Sequence, residues 1–171
     1  MRTFSDAVAS LFAAADSGGA IELSSDQPIV ADSLLYTAVA SGGMVGMGVP
    51  DLSSADAQAT AVLAGLSHSA DAAVGFRSNV GAYNAKDVAQ KLTFTLYDDK
   101  GTRLARMVVP APPRTPVQIS NIFETLGITT DVPSAYCVVS GDKGLPLFAY
   151  AGVIDNNQSQ DLAFIRGESD Q

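Results

Sequence analysis

The chain has no tryptophan, one cysteine and one histidine among 171 residues. Those counts exclude an internal disulfide and a Cys/His zinc site, and they allow a Cys–His couple only if Cys137 and His68 meet. Positive charge is scarce too. Ten Lys plus Arg against eighteen Asp plus Glu leave a net charge of −8, which repels phosphate backbones and anionic lipid heads. Nucleic acid is therefore not an expected partner. No apolar run approaches the roughly eighteen residues that a membrane-spanning helix needs, so no membrane insertion is expected. Residues 1–12 carry no basic region leading into an apolar stretch and a small-residue cleavage site, so no signal peptide is expected in this chain. What the chain does have is apolar material: 47% hydrophobic against 16% charged residues, enough for a sizeable core in one ordinary domain.

The spacing of Phe4, Val8, Leu11 and Phe12 predicts a short helix, with Ser5 or Asp6 as its cap and Gly18-Gly19 beyond its end. Residues 20–24 alternate apolar with polar, and residues 29–37 are rich in branched and aromatic side chains. With Ser25-Asp26-Gln27-Pro28 between them they read as a hairpin. Residues 41–50, with four glycines, read as a short irregular strand. Residues 51–71 read as a long loop holding a helical turn. From Ala73 the strand pattern strengthens. Residues 74–83, 92–97 and 104–109 predict a three-stranded meander, the last two joined by the turn Asp98-Asp99-Lys100-Gly101. The prolines at 110, 112, 113 and 116 require an edge strand or a change of sheet, because proline has no N–H for a ladder.

Two segments read alike. Phe4-Ser5-Asp6-Ala7-Val8 matches Ile119-Ser120-Asn121-Ile122-Phe123 at an offset of 115 residues, and Ala20-Ile21-Glu22-Leu23 falls on Ala135-Tyr136-Cys137-Val138. Three residues further along the offset, Pro28-Ile29-Val30-Ala31 falls on Pro146-Leu147-Phe148-Ala149 and Leu35 on Val153. The chain is thus expected to be a single domain, residues 1–171, made of a half unit (4–50), a loop (51–72) and a whole unit (73–167). Ile21, Leu23, Val30, Leu35, Phe94, Leu96, Val108, Val138, Phe148 and Val153 are its expected core.

Phe76-Arg77-Ser78-Asn79-Val80-Gly81-Ala82-Tyr83-Asn84, then Leu92-Thr93-Phe94-Thr95-Leu96-Tyr97-Asp98, then Phe148-Ala149-Tyr150-Ala151-Gly152-Val153-Ile154-Asp155-Asn156 carry a resemblance that covers most of the chain from Gly19 onward. In that order they resemble a repeated β-sandwich segment of large secreted bacterial multidomain proteins. The resemblance implies a non-catalytic accessory module in an extracellular or cell-surface location, and no activity that can be carried over. The chain departs from the pattern at Ser78, where Thr is usual, and at Gly152, where Ser is usual. Asn157-Gln158-Ser159-Gln160 also replaces an expected Thr-Gly turn.

Candidate chemistry is sparse. Asp155, Asn157, Ser159 and Asp161 stand at alternate positions, the spacing with which oxygen ligands can ring a calcium ion. The set lacks the glycine and the closing glutamate of a helix-loop-helix calcium site, so a polar hairpin turn is the favoured reading. Arg77 and Asn79 share one face of an apolar strand. They read as structural, with Arg77 paired to a carboxylate and Asn79 bonded to backbone at a sheet crossing. Asp98, Asp99, Asp142, Asp155 and Asp161 sit at expected turns, which argues against a glycosidase pair. Ser67-His68-Ser69 lacks a nucleophile elbow, so His68 reads as an exposed loop residue. Residues 42–48 lack the Lys-Ser/Thr ending of a phosphate loop, Met44 and Met47 read as fillers of irregular core space, and Cys137 as a small buried hydrophobe.

The expected fold is all-β, a two-sheet sandwich of about nine strands with two short helical turns and an internal repeat. The expected function is a non-catalytic structural or adhesion module of a secreted or cell-surface bacterial protein, monomeric, needing no cofactor and meeting a protein or glycan surface. The alternative is a module that binds carbohydrate or calcium, using Tyr36, Tyr83, Tyr97 and Tyr150 or the Asp155 loop.

Overall fold

Period-two patterning dominates the second half of the chain, and strands follow from it. The computed structural model describes residues 2–15, 17–38, 42–157 and 160–169. In chain order the elements are α1 (Ala7–Phe12), β1 (Asp32–Ala38), β2 (Met44–Pro50), a 3-10 turn (Ser54–Asp56), β3 (Thr60–His68), β4 (Phe76–Asn84), β5 (Gln90–Asp98) and β6 (Arg103–Ala111). They continue with β7 (Thr115–Ile119), α2 (Ile122–Thr125), β8 (Val132–Gly141), β9 (Phe148–Asp155), β10 (Gln160–Arg166) and β11 (Glu168–Ser169).

Nine of these strands form an all-β sandwich: a four-stranded sheet in the order β10-β9-β4-β7 and a five-stranded sheet in the order β11-β3-β8-β5-β6. Every pairing is antiparallel. Between the sheets lie Leu63, Leu66, Val80, Leu92, Phe94, Leu96, Cys137, Val139 and Leu147, all shielded from solvent, with Ile122 and Phe123 of α2 closing one end. The proline-rich stretch acts as its chemistry demands. It leaves β6, an edge strand of one sheet, and enters β7, an edge strand of the other.

The expected meander is divided. β5 and β6 form a hairpin across the Asp98 turn, whereas β4 lies in the opposite sheet between β9 and β7. The expected loop at 51–71 is also corrected, because β3 occupies residues 60–68 of it and pairs with β8 and β11. Its apolar phase is broken by Gly65, whose φ of +83° accompanies a shift of register between Ala64 and Leu66. Across that bulge Leu63 and Leu66 both face the core, three positions apart instead of two or four.

The N-terminal hairpin differs as well. Residues 20–24 lie in no strand, and β1 pairs with β2 to give a two-stranded sheet outside the sandwich. Of the expected core, Phe94, Leu96 and Val153 are buried, while Val138 and Phe148 are half-buried. Cys137 and Val139 take the inward phase of β8, and Ala149 and Ala151 that of β9. Val108 is exposed because Met107 and Val109 point inward from edge strand β6. Ile21, Leu23, Val30 and Leu35 are exposed because their segment lies outside the two sheets of the sandwich; Val30 is 89% exposed.

Candidate functional site

The polar residues singled out from sequence are engaged inside the fold. Arg77 Nη1 donates to the Asn156 side-chain oxygen at 2.7 Å, so its partner is an amide and not the expected carboxylate. Asn79 Oδ1 accepts from the Asn121 backbone N–H at 2.9 Å and fastens the start of α2, where Asn121 has φ +42°. One strand thus sends two neighbouring polar side chains to two separate structural tasks.

The Asp155 carboxylate accepts from the Asn157 N–H at 2.9 Å, closing the turn between β9 and β10. Asp161 lies in β10 opposite Ile154. Ser159, the third residue of the expected calcium set, lies outside the described residues. Among the described residues no group of three or more His, Cys, Asp or Glu side chains gathers as a metal site would require. Two other turn aspartates bond backbone. Asp98 Oδ1 accepts from Lys100 and Thr102 N–H, and Asp142 Oδ1 from Lys91 N–H. The Thr102 bond is the main reason that the Asp98 carboxyl lies below its ordinary range.

His68 is not exposed as expected. It is the last residue of β3, is 3% exposed, and stacks on Phe123 with ring centroids 5.2 Å apart. Neither ring nitrogen has a hydrogen-bond partner among the described residues. Cys137 lies inside the sandwich, where burial pushes its thiol up to about 12. Thiol and imidazole therefore sit in apolar surroundings suited to packing.

Sequence reading missed a buried amide network because its members carry no motif. Asn84 Nδ2 lies within 3.1 Å of the carbonyls of Val88, Ala111 and Pro112, and its Oδ1 accepts from Gln90 Nε2 at 3.0 Å. It ties the β4–β5 connection to the point where the chain changes sheet. Ser67 and Ser78 form a second tie between the sheets. The Ser67 N–H donates to Ser78 Oγ, which donates to the Ser67 carbonyl.

Three of the four candidate platform tyrosines are stacked. Tyr83 lies against Phe148, Tyr97 against Tyr136 and Tyr150 against Phe164, leaving Tyr36 the more exposed exception at 56%. Tyr83 also enters a charged cluster. Its hydroxyl and Arg114 Nη1 both donate to Glu22 Oε1, at 2.7 and 2.9 Å, while Arg114 Nε and Nη2 donate to the two Asp87 oxygens. Glu22 is held below its ordinary range by the Tyr83 hydroxyl first and by Arg114 after it. Arg114 holds Asp87 down in the same way. This cluster ties the N-terminal segment to the sandwich.

The remaining feature is apolar. Phe4, Leu11, Phe12, Ile21, Leu23, Ile29, Val30, Leu34, Leu35, Tyr36 and Met44 are all exposed, and all fall within the expected half unit. Scattered exposed hydrophobes are ordinary, but a concentration of this kind is not. On one face of the hairpin Leu34 and Tyr36 stand opposite Gly48 and Gly46, and with Met44 and Val45 they line a shallow groove. The other face rests through β2 against β10, where Met47 reaches toward Gly152.

No protein-family model matches the chain, and no curated protein matches its sequence. Solved structures found to be similar include two. One is Thermotoga maritima 1070, at 11% identity and a TM-score of 0.51, covering 65% of this chain and 93% of that one. The other is the Anabaena sensory rhodopsin transducer, at 14% identity and a TM-score of 0.39, covering 54% and 78%. The first likeness is one of fold alone.

Proposed function

We propose that the chain is a non-catalytic structural or adhesion module that works by apolar contact between its N-terminal hairpin and a protein surface. The observation that carries this reading is the division of labour in the molecule. The polar side chains hold the sandwich together, and among the described residues eleven of the sixteen large exposed apolar side chains gather on residues 4–44. Apolar contact of this kind is the common basis of protein association. An extracellular or cell-surface setting in a larger bacterial protein is part of the proposal and rests on the resemblance of residues 76–98 and 148–156.

The test is attachment of the purified chain to protein-coated and glycan-coated surfaces, with and without a calcium chelator. The expected result is attachment to protein that ignores the chelator and falls at least about tenfold in a Leu34→Asp/Leu35→Asp variant, as loss of two apolar anchors implies. Attachment to glycan that is lost in Tyr36→Ala, or attachment that needs calcium, would overturn this reading in favour of the ligand-binding alternative.

A further inference from the structure

We propose that residues 20–50 are the closing half of a second sandwich, and that their occupant is a strand segment of the same kind as β3–β7. A β4-like strand would pair antiparallel along the open edge of β1. This inference rests on the reading of the chain as a structural module that works by apolar contact through its N-terminal hairpin, and it names the partner.

The second unit supplies the template. In the N-terminal hairpin Ser33 pairs with Val49, Leu34 with Gly48 and Leu35 with Met47. In the C-terminal hairpin Ala151 pairs with Ile165, Gly152 with Phe164 and Val153 with Ala163. The first strands are related by a constant 118 positions and the second strands by a constant 116, so the two hairpins share one register as far as the bulge between Asp161 and Ala163. The helical turns before them agree also. Asp6 and Asn121, 115 positions apart, are both N-cap residues in the left-handed region, with φ of +50° and +42°.

What differs is the surroundings. β9 has β10 on one edge and β4 on the other, whereas β1 has β2 on one edge and, among the described residues, no strand on the other. Ala135–Val138 of β8 lies between β3 and β5, whereas its counterpart, residues 20–23, lies in no strand. Burial follows the same division: Val153 is 8% exposed and its counterpart Leu35 is 54% exposed. An open strand edge beside uncovered apolar side chains is the surface that accepts an added strand.

A second copy of this chain is a poor occupant. Its β4 is already held by β9, and its β3 and β5 by β8, so lending them would open its own core. The fitting partner is a β3–β7 segment without a closing half of its own.

The experiment builds that partner onto the full chain by placing a second copy of residues 53–118 directly before Phe4, the counterpart of Ile119. Hydrogen exchange of the β1 amides is then compared in the original and extended chains. The expected result is rapid exchange in a monomeric original chain and exchange at least about 100-fold slower in the extended one. Leu35→Asp should abolish that slowing in the extended chain and leave sandwich protection in the original chain unchanged. Three results would each overturn the proposal: β1 exchange that is the same in both chains, slowing that survives Leu35→Asp, or β1 amides already protected in the original chain. Hairpin-dependent attachment is measured on the original chain, so the apolar-contact reading can stand where this proposal fails.

Discussion

At the scale of single residues, stability depends on side chains whose burial leaves no substitute partner. Asn84 satisfies several backbone groups where the chain changes sheet, so Asn84→Leu strands buried carbonyls and the Gln90 amide together. The expected loss is about 1–3 kcal/mol in urea unfolding, the range for leaving a buried polar group unpaired. Phe94→Ala, which empties the centre of the core, is expected to cost about 3–5 kcal/mol. Cys137 offers a different readout. With its thiol pushed up to about 12 and buried, it should resist a thiol reagent at pH 8 and be labelled only as the sandwich opens. Rapid labelling of the native protein would contradict that placement. The Glu22 cluster predicts a pH effect whose sign follows from linkage. The folded carboxyl lies below its ordinary value of 4.5, so its tie is complete above that value and is lost as pH falls through the lower folded value. Carboxyl NMR titration should show Glu22 moving back toward 4.5 in Tyr83→Phe, whose missing hydroxyl is the larger cause.

At the scale of elements, β3 shows why part of the fold is legible in sequence and part is not. β5 alternates cleanly from Leu92 to Leu96, and its inward phase can be read from period two alone. β3 contains the same kind of residues, but Ala64 and Gly65 form a bulge that moves the inward phase from Leu63 to Leu66, so alternation fails where the strand is most buried. The same limit hid the role of His68, which is recognisable as a core residue only once the bulge is known. Phe148 and Val138 show a second limit: adjacent apolar residues in β8 and β9 leave two phases open, and the opposite sheet selects between them. Asn79 and Arg77 could be placed on one face from spacing, but their partners Asn121 and Asn156 lie 42 and 79 positions away and no local pattern names them. The bulge is itself testable. Gly65 has φ +83° and room beside it, so Gly65→Ala should cost about 1–2 kcal/mol through backbone strain alone. An Ala variant as stable as the parent in urea would show that β3 can pass this point without a left-handed residue.

At the scale of the whole molecule, energy and surface are distributed unequally along the chain. Among the described residues the buried hydrophobic ones fall between Ala61 and Ile154, and neither α1 nor the β1–β2 hairpin contributes to them. Ser53 and Asp56 begin the sandwich with a capping box, and Gln58 bridges to Leu147 soon after, so Ser53 is a natural first residue for the folded part. A chain that starts there loses the exposed Glu22 ties and the contact of β2 with β10, but it keeps both sheets and the interior between them. Exposed ion pairs contribute little, and surface changes away from buried networks are usually small. Deleting residues 1–52 should therefore change unfolding free energy by no more than about 1 kcal/mol. Far-UV circular dichroism through a urea titration would measure this, since the chain has no tryptophan to report by fluorescence. The hairpin's role predicts a second consequence of the same deletion. Removing the exposed apolar residues should raise solubility and abolish attachment to protein-coated surfaces while the sandwich remains folded. A truncated chain that unfolds would place the hairpin within the cooperative core, and one that still attaches would move the contact surface onto the sandwich.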